Sequence, residues 1–136
     1  MNIVSQSLAG LPSFLEYFAL GLVLLGAFVT VYGWMTPYDE RALIREGNVA
    51  AAISLSGAIL GFVLPLGSAI AHSVGVIDMV VWGVIALVVQ IAVFFVVGRA
   101  LPHLADAIKA GRVAAASLLA VLSVAVGILN AACMTY

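Results

Sequence analysis

The sequence predicts an all-α integral membrane protein. Four transmembrane helices form a tandem, parallel repeat of two-span hairpins, with a short interfacial helix in each of two cytoplasmic connectors. Three observations carry this. First, of 136 residues, 65% are hydrophobic and 8% charged, where a soluble domain carries about 25% charge. So short a chain cannot fold that apolar area away from water, because small domains stay largely exposed. Second, four apolar stretches reach the ~20 residues that a spanning helix needs. Third, the segment RALIREGNVAAA at 41–52 is nearly repeated as ADAIKAGRVAAA at 105–116.

The first span is expected over 14–35, with Ser13 and Glu16 as a capping box ahead of it. The second is expected over 49–71 and the third over 79–100, with Asp78 as its N-cap. The fourth runs over 113–134. The whole chain, 1–136, is one membrane domain made of two repeats, 14–71 and 79–134. The N-terminal stretch MNIVSQSLAGLPSF has no basic residues and is not expected to be a cleaved signal peptide.

Connectors 36–48 and 101–112 each begin near a proline, Pro37 or Pro102, and end near a glycine, Gly47 or Gly111. Proline favours a first helical turn and glycine the position just past a helix end. Each connector therefore reads as a short helix at the membrane surface. In the first, Leu43 and Ile44 dip toward lipid while Asp39, Glu40, Arg41 and Arg45 face water. The offset between copies is 64 residues at Ile44–Ile108 and Gly47–Gly111, and 65 at the prolines. A two-span unit returns to its starting side, so the copies share one orientation and a pseudo-twofold axis along the membrane normal. All five basic residues, Arg41, Arg45, Arg99, Lys109 and Arg112, lie in or beside the connectors. The positive-inside rule puts the connectors in the cytoplasm and both termini on the far side.

Few side chains carry chemistry. Gln90, in mid-span, is either helix-packing glue or the lining of a pathway. Gly57 and Gly61, with Ser54, form a small-residue face, as do Ser123, Gly127 and Ala131; these faces pack within one chain or between chains. Pro65 frees the carbonyl of Gly61, and the Asn130 amide or a water is expected to satisfy it; alternatively Asn130 is an ordinary polar residue near the interface. His72 and His103 fall on opposite faces, about 30 Å of hydrocarbon apart, so they share no metal. Glu16 is shallow, with a structural or interfacial role. The lone Cys133 has neither a disulfide partner nor a zinc-ligand cluster. No catalytic, cofactor-binding or metal-binding residue is expected, and a net charge of −1 does not suit nucleic acid.

The strings TPYDERALIREGNVAAAISLSGAILGFVLPL, WGVIALVVQ and NAACMTY resemble the YjfL-like family of small bacterial inner-membrane proteins, the domain-of-unknown-function 350 family. The resemblance covers nearly the whole chain. It implies two copies of a two-span domain, no established activity, and an envelope or membrane-stress setting. Positions matching the family motif are Thr36, Pro37, Glu40, Gly47, Asn48, Gly57, Gly61, Pro65, Gln90, Asn130 and Cys133.

The expected function is that of an interaction or scaffold subunit in the inner membrane, docking through Glu40, Arg41 and Arg45. The alternative is a homo-oligomeric channel or small-solute transporter with Gln90 or the Pro65–Asn130 region on its path. Expected partners are membrane lipids, with further copies of the chain or another membrane protein.

Overall fold

The computed structural model describes residues 2–134. The last two residues of the NAACMTY motif lie outside that range. The described residues form helices joined by short turns, with no strand: α1 (Ile3–Leu8), α2 (Leu11–Met35), α3 (Glu40–Arg45), α4 (Val49–His72), α5 (Val76–Ala100), α6 (Leu104–Lys109) and α7 (Val113–Cys133). Four helical stretches are long and apolar enough to cross a membrane: 3–35 and α4, α5 and α7. A helix of 25 residues such as α2 is about 38 Å long, enough for the hydrocarbon core.

Helix starts differ from expectation. Ser13 and Glu16 form no capping box, because α2 already begins at Leu11 behind Gly10, with Pro12 setting its first turn. A separate helix, α1, precedes it, capped by Asn2 Oδ1 accepting from Ser5 N at 2.8 Å. Asp78 is not an N-cap either. Helix α5 starts at Val76, and Asp78 sits in its first turn, where its carboxylate accepts from the backbone N–H of Val74 at 3.2 Å and meets the positive end of the helix dipole. Pro37 and Pro102 lie before the connector helices, outside their first turns; Asp39 caps α3 with its side chain, whereas His103 holds the N-cap position of α6 without a side-chain cap bond.

The two connector helices end alike. Gly47 and Gly111 take φ of +86° and +77°, a left-handed conformation open mainly to glycine. In the first, Gly47 N donates to Ile44 O and Asn48 N to Leu43 O; in the second, Gly111 N donates to Ile108 O and Arg112 N to Ala107 O. Both are Schellman ends, 64 residues apart, and each turns the chain directly into a spanning helix.

Helices α4 and α7 form the closest pair in the bundle. The two small-residue faces meet within one chain. A Cβ on Gly57 would collide with Ala120, and one on Gly127 with the Gly61 backbone. Helix α5 lies against both α4 and α7, whereas α2 packs on α4 and α5. Helices α2 and α5 thus sit differently against the central pair, unlike a strict twofold arrangement. Helix α2 buries a single stripe, Gly21, Leu24, Phe28 and Tyr32, spaced as one helical face. Leu24 settles over Gly83 of α5.

Candidate functional site

Two buried polar places stand out. The first is in mid-bundle. Gln90 is 1% exposed and donates from Nε2 to the carbonyl of Ser123 at 3.0 Å. Gly61 makes the room: a Cβ there would strike both the Ser123 carbonyl and the Gln90 amide. Gln90 Oε1 has no hydrogen-bond partner among the described residues. Helices α4, α5 and α7 meet in close contact at this point. Pro65 is buried on the same helix, but the expected bond from Asn130 is not formed. Asn130 Nδ2 has no partner among the described residues, and Gly61 is instead pressed against Gly127. Close packing of the α4 and α7 backbones leaves no gap there for an amide to enter.

The second place is at the connector end. An aromatic column leads to it: Phe62 stacks on Phe28 at 4.5 Å, Phe28 tilts against Tyr32 at 5.4 Å, and Phe94 meets Tyr32 edge-on at 5.7 Å and Tyr38 at 6.4 Å. At its top Thr36 is buried, its Oγ1 lying 3.2 Å from the Gly33 carbonyl and 3.3 Å from that of Tyr38. Glu40 follows and corrects the expectation that it faces water. It is 5% exposed, because the first residue of α3 turns inward as the chain comes down from Asp39. The hydroxyls of Tyr32 and Tyr38 and Oε1 of Glu40 have no hydrogen-bond partner among the described residues. Burial, and then the neighbouring charge of Asp39, push the Glu40 carboxyl up to about 7. Burial, then the Glu40 charge, raise the Tyr38 phenol above its ordinary range.

This group borders a cleft of about 750 Å³ whose walls include Val29, Trp34, Pro37, Tyr38, Glu40, Arg41 and Leu55. Asp39 and Arg41 are exposed at its rim; Asp39 Oδ1 is occupied in capping Ala42 N at 3.2 Å.

The structure therefore gathers Thr36, Pro37 and Glu40 at the cleft, and Gly57, Gly61 and Gln90 at the mid-bundle junction. Gly47 forms the first Schellman end. Asn48 both caps α4, accepting from Ala51 N at 3.0 Å, and crosses to α6, donating to the carbonyls of Ile108 at 2.9 Å and Lys109 at 3.3 Å. Cys133 is exposed at the end of α7, away from both groups. Tyr32 and Tyr38 were not singled out from the sequence. The spacing of Leu24, Phe28 and Tyr32 along one face was the available signal. His103 takes a left-handed φ of 71° and lies 3.8 Å from Asp106, both side chains well exposed. No three His, Cys, Asp or Glu residues among those described are placed to hold a metal ion.

The model of the domain of unknown function DUF350 matches residues 6–134. The chain belongs to the DUF350 family. It is 40% identical over its full length, and over the full length of the relatives, to the UPF0719 inner membrane protein YjfL of Escherichia coli K12 and of Escherichia coli O157:H7. It is also 29% identical over 80 residues, 59% of this chain and 60% of the relative, to the UPF0719 transmembrane protein YshE of Bacillus subtilis. No solved structure matches the chain. For this DUF350 protein the relatives' names supply a membrane setting and no reaction, so the side chains must carry any functional reading.

Proposed function

We propose that this DUF350 protein is a multi-pass subunit of the bacterial inner membrane that works by interaction, neither as an enzyme nor as a solute pathway, and that its working surface is the connector end. The filled centre of the bundle carries this reading. Where a path through the chain would run, Gly57 touches Ala120, Gly61 touches Gly127, and Gln90 is spent on a backbone carbonyl of α7. What the chain can present to others lies at its ends, and the connector end holds all five basic residues. The inner-membrane names of the Escherichia coli relatives support the location. The distribution of Lys and Arg supports connectors in the cytoplasm and termini outside. An origin by tandem duplication is supported by the paired Schellman ends 64 residues apart. The short helices α3 and α6, joined to spanning helices by those ends, suit an interfacial position.

Glu40 is withdrawn from the docking surface by its burial, which leaves Arg41, Arg45 and Lys109 exposed there. The test is recovery of partners, further copies or another membrane protein, with the tagged full chain extracted in native lipid particles. Arg45→Glu combined with Lys109→Glu is expected to remove the partner while the helical signal and thermal midpoint stay as in the wild type. Unchanged recovery sinks the docking reading. A particle holding a closed ring of this chain alone redirects attention to flux.

A further inference from the structure

The cleft at the first connector has an unusual cross-section. Its walls begin at Val29 and Leu55, each six residues inside the end of its helix, which is about 9 Å along an apolar spanning helix at 1.5 Å per residue. They finish at Glu40 and Arg41 in the connector. Between them stands Trp34, 79% exposed, the residue type that sits at headgroup level in membrane proteins. The cleft thus crosses the boundary between acyl chains and polar headgroups, and an occupant must be amphipathic.

Its polar end is specific. Glu40 offers a buried Oε1 with no hydrogen-bond partner among the described residues, a costly arrangement unless a donor arrives from outside, and the Tyr38 hydroxyl, near Ser54, is buried with it. The fold itself does not need a carboxyl there. At the offset of 64 residues the first residue of α6 is Leu104, equally buried at 4% exposure. Beside Glu40 is Arg41, exposed and in no ion pair among the described residues. One acid turned inward next to one free base matches a zwitterion. A divalent cation is a poor match, because no group of three ligands is present and Asp39 is already committed to its helix cap.

We propose that this cleft is a binding site for the headgroup of an ethanolamine phospholipid. The ammonium N–H groups reach Glu40 and Tyr38, the phosphate lies beside Arg41, and the acyl chains leave along Val29 and Leu55. Charge-assisted hydrogen bonds of this kind are the stronger ones. A choline headgroup, with no N–H, cannot satisfy the same oxygens. The site shares Arg41 with the exposed basic surface of the docking reading, whose test uses Arg45 and Lys109 instead, so the two fail separately.

The full chain is loaded with an equal mixture of phosphatidylethanolamine and phosphatidylcholine, carried through detergent, and the lipid retained is measured by mass spectrometry. The wild type is expected to favour phosphatidylethanolamine about tenfold, equivalent to 1.4 kcal/mol. Glu40→Leu, which copies Leu104, and Glu40→Gln, which keeps the shape of the side chain, are both expected to abolish the preference while the helical signal stays as in the wild type. Equal retention of the two lipids by the wild type overturns the proposal, as does a preference that survives both substitutions. Binding of water-soluble phosphoethanolamine to the lipid-free chain as tightly as the phospholipid overturns the lipid assignment and makes the ligand the free headgroup compound.

Discussion

At the scale of single residues, Glu40 has the clearest solution signature. Its carboxyl is pushed from 4.5 up to about 7 by burial. A folded acid with a raised pKa binds more protons than the unfolded chain between those values, so stability is highest below about pH 4.5 and falls as pH rises through 7. The loss is about 3 kcal/mol at most. Thermal unfolding in detergent should show the wild type losing stability between pH 5 and pH 8 relative to Glu40→Gln. Equal slopes for the two proteins would mean that Glu40 is solvated. The burial of Glu40 was not legible in the charged run YDERALIRE, which reads as a solvated face. A hint was nevertheless available, since a register of 64 residues places Leu104 where the first connector has Glu40. Gln90 was legible as a mid-span polar residue needing a partner, but the Ser123 carbonyl that receives it depends on packing between helices far apart in the chain.

At the scale of elements, the small-residue faces were legible because backbones approach closely only over Gly, Ala and Ser. Pattern alone left open whether the two faces meet within a chain or between chains, and the Gly61–Gly127 contact answers within. Gly127→Ala should therefore force α4 and α7 apart and cost about 1–3 kcal/mol, read as a lower thermal midpoint, whereas Gly26→Ala, with open space around it, should leave the midpoint unchanged. Capping signals fared worse. A Ser-x-x-Glu string also occurs inside helices, and at the start of α2 the upstream Gly10 and Pro12 decide the boundary. Asn48 was visible as part of a family-like motif, but not as a tie between α4 and α6. Asn48→Ala loses a cap and two bonds to α6, and a drop of about 1–2 kcal/mol is expected. Asn48→Asp keeps the cap and should recover only part of it.

At the scale of the whole molecule, the four apolar stretches and the clustering of basic residues were legible from composition alone, since lipid replaces water as the solvent. The unequal seating of α2 and α5 was not, because a repeat in sequence does not fix how each copy packs. Orientation is testable by labelling in a Cys133→Ser background. Val74→Cys, in the exposed turn between α4 and α5, should react with a membrane-impermeant maleimide in intact cells. Glu46→Cys, in the first connector, should react only after the membrane is opened. The reverse pattern would invert the topology.

The intimate contact of α4 with α7 also sets an order of events during synthesis. Gly57 and Gly61 find their partners at Ala120 and Gly127, more than sixty residues later. At about 5–20 residues per second, the glycine face of α4 waits roughly 3–13 seconds in the bilayer before its complement is made. During that interval the nascent chain presents a bare small-residue surface, open to any neighbouring helix. Helix α7 is the one that closes it, so the face on α4 is covered only once α7 has been made.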